Sequence, residues 1–419
     1  MDSSFESALD RYAELAIQVG LNLQRGQRLV ITDIRHGGVP LEIAPLVRRL
    51  AAHAYAAGSP LVHVTWRDDQ LTRTRFEHAP RDSFGEYPAW LARGLLEHAQ
   101  AGGALLTVRA AIPDLLQDQD ASHVASVQKA VAEQNKGLSE LVTRNAINWL
   151  LISASYPGWA SKVFPGQPRQ EGVAKLWEAL FRVCRLEAPD PVSTWRQHIR
   201  QLVARCKYLN HRRYHALRFT GPGTDLTVGL PDGHRWMSGR FTSLNGIDFT
   251  ANLPTEEIFT LPHHAQTEGT VAATRPLEYG SAVIQDFYVR FSEGKVVDFN
   301  ARTGEAVLRG LLDTDEGARR LGEVALVPHS SPISQSGISF YNTLLDENCA
   351  SHLAFGEAYR FSLQGGEDMS NDAFAAAGGN LSLVHVDFMI GSGRIDVDGL
   401  TVSGSSEPVM RLGEWAFDI

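Results

Sequence analysis

Apolar residues recur at helical spacing near the start of the chain, at Leu9, Tyr12, Ala13, Ala16 and Ile17, with Gly20 close to the stop. A short β-rich run follows at 28–32 (RLVIT). The helical pattern returns from Leu41 to about Ala57, is closed by Gly58, and leads into a predicted strand at 61–66 (LVHVTW). Further strands are predicted at 104–108 (ALLTV) and 149–153 (WLLIS), either side of a charged, helical stretch from Ser122 to Asn145. Strand, helix and strand at these intervals predict a parallel sheet covered by helices.

The pattern changes beyond residue 186. Leu186-Glu187-Ala188-Pro189-Asp190 reads as a helix stop, and Pro191 can begin the next helix, through about Leu209. From Tyr214 onward short strands alternate with glycine turns, at 216–220, 224–230, 282–291 and 295–299, with Ser292-Glu293-Gly294 as a hairpin turn between the last two. The expectation is an α/β N-terminal domain over 1–190 with a mainly parallel sheet. A helical connection at 191–213 and an α+β C-terminal domain at 214–419 complete it. A chain of 419 residues exceeds one ordinary core, at ~150 residues per domain.

Composition narrows the function classes. The chain is 43% hydrophobic and 21% charged, with a formal net charge of -9. It has no lysine- and arginine-rich stripe of the kind that binds a phosphate backbone, so no nucleic-acid partner is expected. Cys184, Cys206 and Cys349 have no CxxC spacing, which argues against a disulfide framework or a cysteine zinc site and for a reducing compartment. The first ten residues are acidic without an apolar signal core, and no apolar run approaches the ~20 residues that span a bilayer. A cytoplasmic protein with no membrane partner is the expectation. Neither a GxGxxG nor a GxxxxGK[ST] phosphate loop is present, nor a GxSxG elbow, nor an HExxH helix.

The strongest local signal is 383–390, LVHVDFMI. On a strand, Val384, Val386, Phe388 and Ile390 would line one apolar face while His385 and Asp387 project together from the other, roughly 7 Å apart along the backbone. Two ligand-type side chains on one face suit metal binding, and an exposed polar face would look the same. A second cluster is 252–259, NLPTEEIF, where Pro254 and Thr255 could start a helix or fix a turn and the acids could serve a helix dipole. In LGEVALVP, Glu323 heads a short strand expected to be buried, where an ionised carboxylate is costly unless paired or metal-bound. His352 sits in a small-residue, helix-like run ended by Gly356, where a satisfied core histidine is the plain reading.

Taken together, these clusters resemble the M29 family of metallopeptidases, the aminopeptidase T group. The resemblance rests on NLPTEEIFT at 252–260, the long stretch 315–359 and HVDFMIGSG at 385–393, and runs on through GTVAATRPLEYG at 269–280. It implies that Glu257 is a metal ligand, with Glu256 its neighbour and alternative, and that Glu323 is a shared carboxylate. His352, His385 and Asp387 would complete the ligand set, and Tyr359 matches the tyrosine facing the reacting carbonyl. A homodimer acting on short peptides is implied as well.

Three carboxylates and two imidazoles form an N/O donor set that suits two divalent ions, zinc, cobalt or manganese. The expected reaction is metal-dependent release of N-terminal residues from peptides, with Tyr359 at the oxyanion and Glu256 as general base. Two other readings stand beside it: a metal-free α/β binding protein, and a metallohydrolase acting on a phosphoester or another amide.

Overall fold

The computed structural model describes residues 3–112, 115–279 and 282–419; Gly280, which ends the GTVAATRPLEYG stretch, lies outside them. The chain divides into two compact units, residues 1–198 with 240–254, and residues 199–239 with 255–419.

In the first unit the helix Ser3–Leu15 buries Leu9, Tyr12, Ala13 and Leu15 and continues into a wider turn, Ala16–Gly20. Gly20 is needed for a close approach, because a Cβ there would lie 2.5 Å from the Leu150 side chain and 2.8 Å from that of Leu253. The strand Leu29–Thr32 pairs in parallel with Val62–Val64 on one side and Ala104–Arg109 on the other. Trp149–Ser153 and then Asn252–Leu253 extend the sheet, also in parallel. Leu29–Thr32 is buried at every position, as a sheet with both faces covered demands of its strands. The predicted stretch 122–145 is two helices, Ala121–Gln134 and Lys136–Thr143. Asn135 separates them and turns its side-chain amide back onto the carbonyl of Val131. The return of 240–254 to this unit rests on a two-residue strand, which leaves no periodicity to read.

The second unit holds two antiparallel sheets. The larger has nine strands, with Ala216–Gly221, Thr224–Gly229, Thr267–Ala272 and the long hairpin Ala282–Ser292 and Lys295–Thr303 among them. The smaller has five, in the spatial order His385–Met389, His352–Gly356, Leu321–Leu326, Ile258–Thr260 and Met237–Ser238. One hydrophobic core takes Leu217, Phe219, Val228 and Phe287 from the larger sheet and Ile258, Val324, Leu353 and Phe388 from the smaller. Phe388 is stacked on Phe355 at 4.4 Å between ring centroids and meets Phe287 of the larger sheet at 5.7 Å. The run at 352–356 is therefore a strand, where the sequence reads as helix-like; its small residues serve close packing between strands. The PTEE segment likewise starts no helix and runs as irregular chain into Ile258–Thr260.

Candidate metal centre

The five-stranded sheet places its polar residues by alternation. Residues i and i+2 on a strand share a face. Val324, Leu326, Leu353, Phe355, Val386 and Phe388 all turn to the core, so Glu323, His352, His385 and Asp387 share the opposite face. Register sharpens this: Ala354 lies opposite Glu323 on one neighbour and opposite Asp387 on the other. A small residue between two long carboxylates lets their heads converge. Gly356 does the same opposite His385; it sits at φ +97°, and a Cβ there would meet the Val384 carbonyl oxygen at 2.0 Å.

The same alternation, carried back from Ile258–Thr260, separates the two glutamates of the PTEE segment. Ile258 is in the core, while Phe259 meets Tyr359 and Phe361 beside the polar face. Glu257 shares the parity of Phe259 and joins the cluster. Glu256, 1% exposed, acts electrostatically on Arg205 of the helix Pro191–Arg212. The structure thus brings five of the seven expected residues into direct contact, sets Tyr359 against His385 at 4.7 Å between rings, and leaves Glu256 on another side.

The contacts form two overlapping groups. His352 Nε2 lies 3.4 Å from Glu257 Oε2 and 3.3 Å from Glu323 Oε1. His385 Nε2 lies 3.8 Å from Glu323 Oε2 and 3.4 Å from Asp387 Oδ1. Within each triad, Glu257–Glu323–His352 and Glu323–His385–Asp387, the ligand-type atoms lie within 4.8 Å of one another. Glu323 belongs to both.

Each imidazole is oriented from behind. His352 Nδ1 donates to the Ala350 carbonyl at 3.1 Å and His385 Nδ1 donates to the Glu357 carbonyl at 2.7 Å, since a carbonyl can only accept. This fixes which ring nitrogen faces the carbonyl and aims both Nε2 atoms inward, as the backing hydrogen bond of a metal-ligating histidine does.

The electrostatics show a pocket short of positive charge. Glu257, Glu323 and His352 are at most 7% exposed. Two unit like charges 4–5 Å apart repel by about 3–4 kcal/mol at an effective dielectric constant of 20. Among the described residues no lysine or arginine pairs with Glu257, Glu323 or Asp387. Protons fill the gap. Burial opposes the charged form of His352, but the hydrogen bond to Glu323 and the charges of Glu257 and Asp387 outweigh it and push its pKa up to about 10. His385 follows the same balance, with burial overcome by Asp387 and Glu323, and is pushed up to about 9. Burial, reinforced by Glu323 and Asp387 against the pull of His352, pushes Glu257 up to about 8. Burial would raise Asp387 too, but His385 beside it holds its carboxyl below the usual range. Desolvation and the charges of Glu323, Asp387, Glu347 and Glu257 keep the phenol of Tyr359 protonated, although 36% of the residue is exposed.

Glu347 is the member of this set that sequence reasoning missed. It ends the short helix Thr343–Glu347, and burial, then Glu257 and Asp387, raises its carboxyl well above the ordinary value. Its position five residues before His352 was the available signal; a glutamate in a helical turn has a plainer explanation, and none of the strand logic applies to it.

The donor set fits a divalent cation on the structure's own terms. Among the described residues, carboxylates and inward-facing imidazoles converge without an arginine or lysine paired to them, and the buried Asp387 Oδ1 has no hydrogen-bond partner.

Comparison with known proteins gives a consistent result. The family described as thermophilic metalloprotease (M29) matches residues 5–415. "Aminopeptidase 2" of Geobacillus stearothermophilus is 46% identical over 99% of both chains. "Aminopeptidase T" of Thermus thermophilus is also 46% identical, covering 98% of this chain and 99% of its own. A solved structure titled "Wild-type AmpT from Thermus thermophilus" superposes with a TM-score of 0.91 at 46% identity, covering 99% of this chain and 100% of that one.

Proposed function

The chain belongs to the M29 family of thermophilic metalloproteases, and with that as premise we propose that this peptide-hydrolysing metalloenzyme is an aminopeptidase, releasing N-terminal residues at a centre for two divalent ions. The observation that carries the reading is the double contact of Glu323, at 3.3 Å from His352 and 3.8 Å from His385. It makes one carboxylate common to two three-ligand groups. The relatives' names, aminopeptidase 2 and aminopeptidase T, support the direction of attack.

In this proposal Glu257 and His352 hold one ion, His385 and Asp387 the other, with Glu323 between them and Glu347 as a sixth ligand. Zinc, cobalt or manganese suits the donors. Bound there, such ions supply Lewis acidity and a water deprotonated near neutral pH. The protein's residues do the rest. The main-chain carbonyls of Ala350 and Glu357 accept from Nδ1 of the two imidazoles and so aim both Nε2 atoms inward, where a bound cation would displace the Nε2 proton. Tyr359, protonated at any working pH, donates a hydrogen bond to the substrate carbonyl oxygen as charge develops on it. A contact of that kind is worth roughly 2.7–4 kcal/mol. Glu256, buried in the field of Arg205, is assigned to holding the PTEE segment in place rather than to proton transfer. Short peptides as substrates, a homodimer and a cytoplasmic location belong to the same reading and rest on the family resemblance.

The test is hydrolysis of a leucine amide after exhaustive chelation, which should abolish it, followed by cobalt or zinc, which should restore it. Full activity in demonstrably metal-free protein overturns the proposal.

A further inference from the structure

The PTEE segment and Glu347 both reach the cluster from irregular or short elements, and neither is held by a sheet ladder at the residue that matters. Glu257 precedes its strand, and Glu347 is the last residue of a five-residue helix. The four strand-borne ligands owe their positions to register; these two need another anchor. One fully buried side chain supplies it. Asn348 is 0% exposed, and its Oδ1 accepts the main-chain N–H of Glu256 at 2.7 Å, across 92 residues of sequence. Its Nδ2 donates to the Leu344 carbonyl at 2.9 Å and reaches Glu347 Oε1 at 3.5 Å.

We infer that Asn348 is a positioning residue for the metal centre, fastening the Thr255–Glu256 peptide, next to Glu257, to the helix end that carries Glu347. The inference rests on the two-ion reading above. The amide is suited to this role by its chemistry. It offers an acceptor and a donor on one rigid plane, so the orientation that accepts from Glu256 is the same one that donates to Leu344 and faces Glu347. A hydroxyl is too short to span both, and a carboxylate would present an acceptor to the Leu344 carbonyl and a like charge to Glu347. Losing the amide removes the acceptor of the buried Glu256 N–H, so the main chain leading into Glu257 shifts to find another.

The experiment compares Asn348→Ala, which opens a small cavity, with Asn348→Leu, which keeps the branched shape and heavy-atom count and removes both hydrogen bonds. Asn148→Leu serves as control. Asn148 is also fully buried, and its amide ties the Leu21 carbonyl in the first unit. Metal-free protein of each kind is titrated with zinc, and its melting temperature is read with and without zinc. Outer-shell partners of metal ligands are worth 10–100-fold in affinity, and both Asn348 variants should bind zinc weaker by that factor. Their zinc-induced rise in melting temperature should shrink accordingly. Asn148→Leu should melt lower than wild type with zinc affinity unchanged. Wild-type zinc affinity in folded Asn348→Leu overturns the inference while leaving the two-ion reading intact. Absence of tight zinc binding in the wild-type protein overturns that reading itself.

Discussion

In the parallel sheet of the first unit the charged side chains at the strand ends are matched to one another. Arg67 is bound to Asp69 and to the Ala110 carbonyl, and the Tyr156 hydroxyl donates to Asp69 at 2.8 Å. Asp33 lies between His36 at 2.8 Å and Arg109 at 3.7 Å, and although burial would raise its pKa, the hydrogen bond to His36 and the Arg109 guanidinium hold it below the usual range. In the five-stranded antiparallel sheet of the second unit the carboxylates face each other, with two imidazoles as their close counter-groups among the described residues. Both arrangements bury charge. One offsets its carboxylates with guanidinium groups of the same unit; the other has only protons to offset them, the arrangement on which the proposed cation site rests.

Three measurements would break or sharpen that contrast. The largest effect is expected for Glu323→Ala. Removing the shared carboxylate should cut leucine-amide hydrolysis by at least the ~10²–10³-fold lost with a single electrostatic group in an active site. The melting temperature in chelator should stay level or rise, because a repelling charge is gone. A clear fall in that temperature with activity retained would put Glu323 among the balanced, stabilising charges. Next is Phe388→Ala, on the core side of the same sheet. It should cost about 3–5 kcal/mol in urea denaturation, as for other fully buried aromatic residues. A loss below 1 kcal/mol would mean that the apolar face does not hold the sheet.

The smallest effect concerns His98 in the first unit. Burial lowers its pKa below 6.5, against the hydrogen bond it makes to the Ala104 carbonyl. The unfolded imidazole therefore takes up a proton before the folded one, so below about pH 6.5 the unfolded state binds more protons and stability falls with pH. Between pH 7 and 5 the wild type should lose more stability than His98→Gln, seen as a steeper drop in melting temperature. Equal slopes would mean that this histidine is not held neutral by the fold.

Much of this was legible in sequence, and the reasons differ from residue to residue. The runs at 28–32, 104–108 and 149–153 are strands because continuous apolar stretches of that length fit a sheet covered on both sides. His385 and Asp387 could be put on one face because apolar and polar residues alternate from Val384 to Phe388, and the core side is as read. His352 was placed on a helix because His-Leu-Ala-Phe-Gly has no clear period; Ala354 and Gly356 make sense only once the neighbouring strands are known. The choice between Glu256 and Glu257 needed the parity of Phe259. Glu347 needed the fold itself, since nothing local distinguishes it from a solvated helical acid. The return of 240–254 to the first unit was hidden because Asn252 and Leu253 are too few residues to show a pattern.

The alternation that builds the centre also makes it an internal check on assembly. A slip of one residue between 385–389 and 352–356 would drive His385 and Asp387 into the hydrophobic interior and expel Phe388 from it. No stable compact chain could then be a poor catalyst through misregistry alone. A molecule that has folded at this sheet has, in the same event, set its four strand-borne residues on one face.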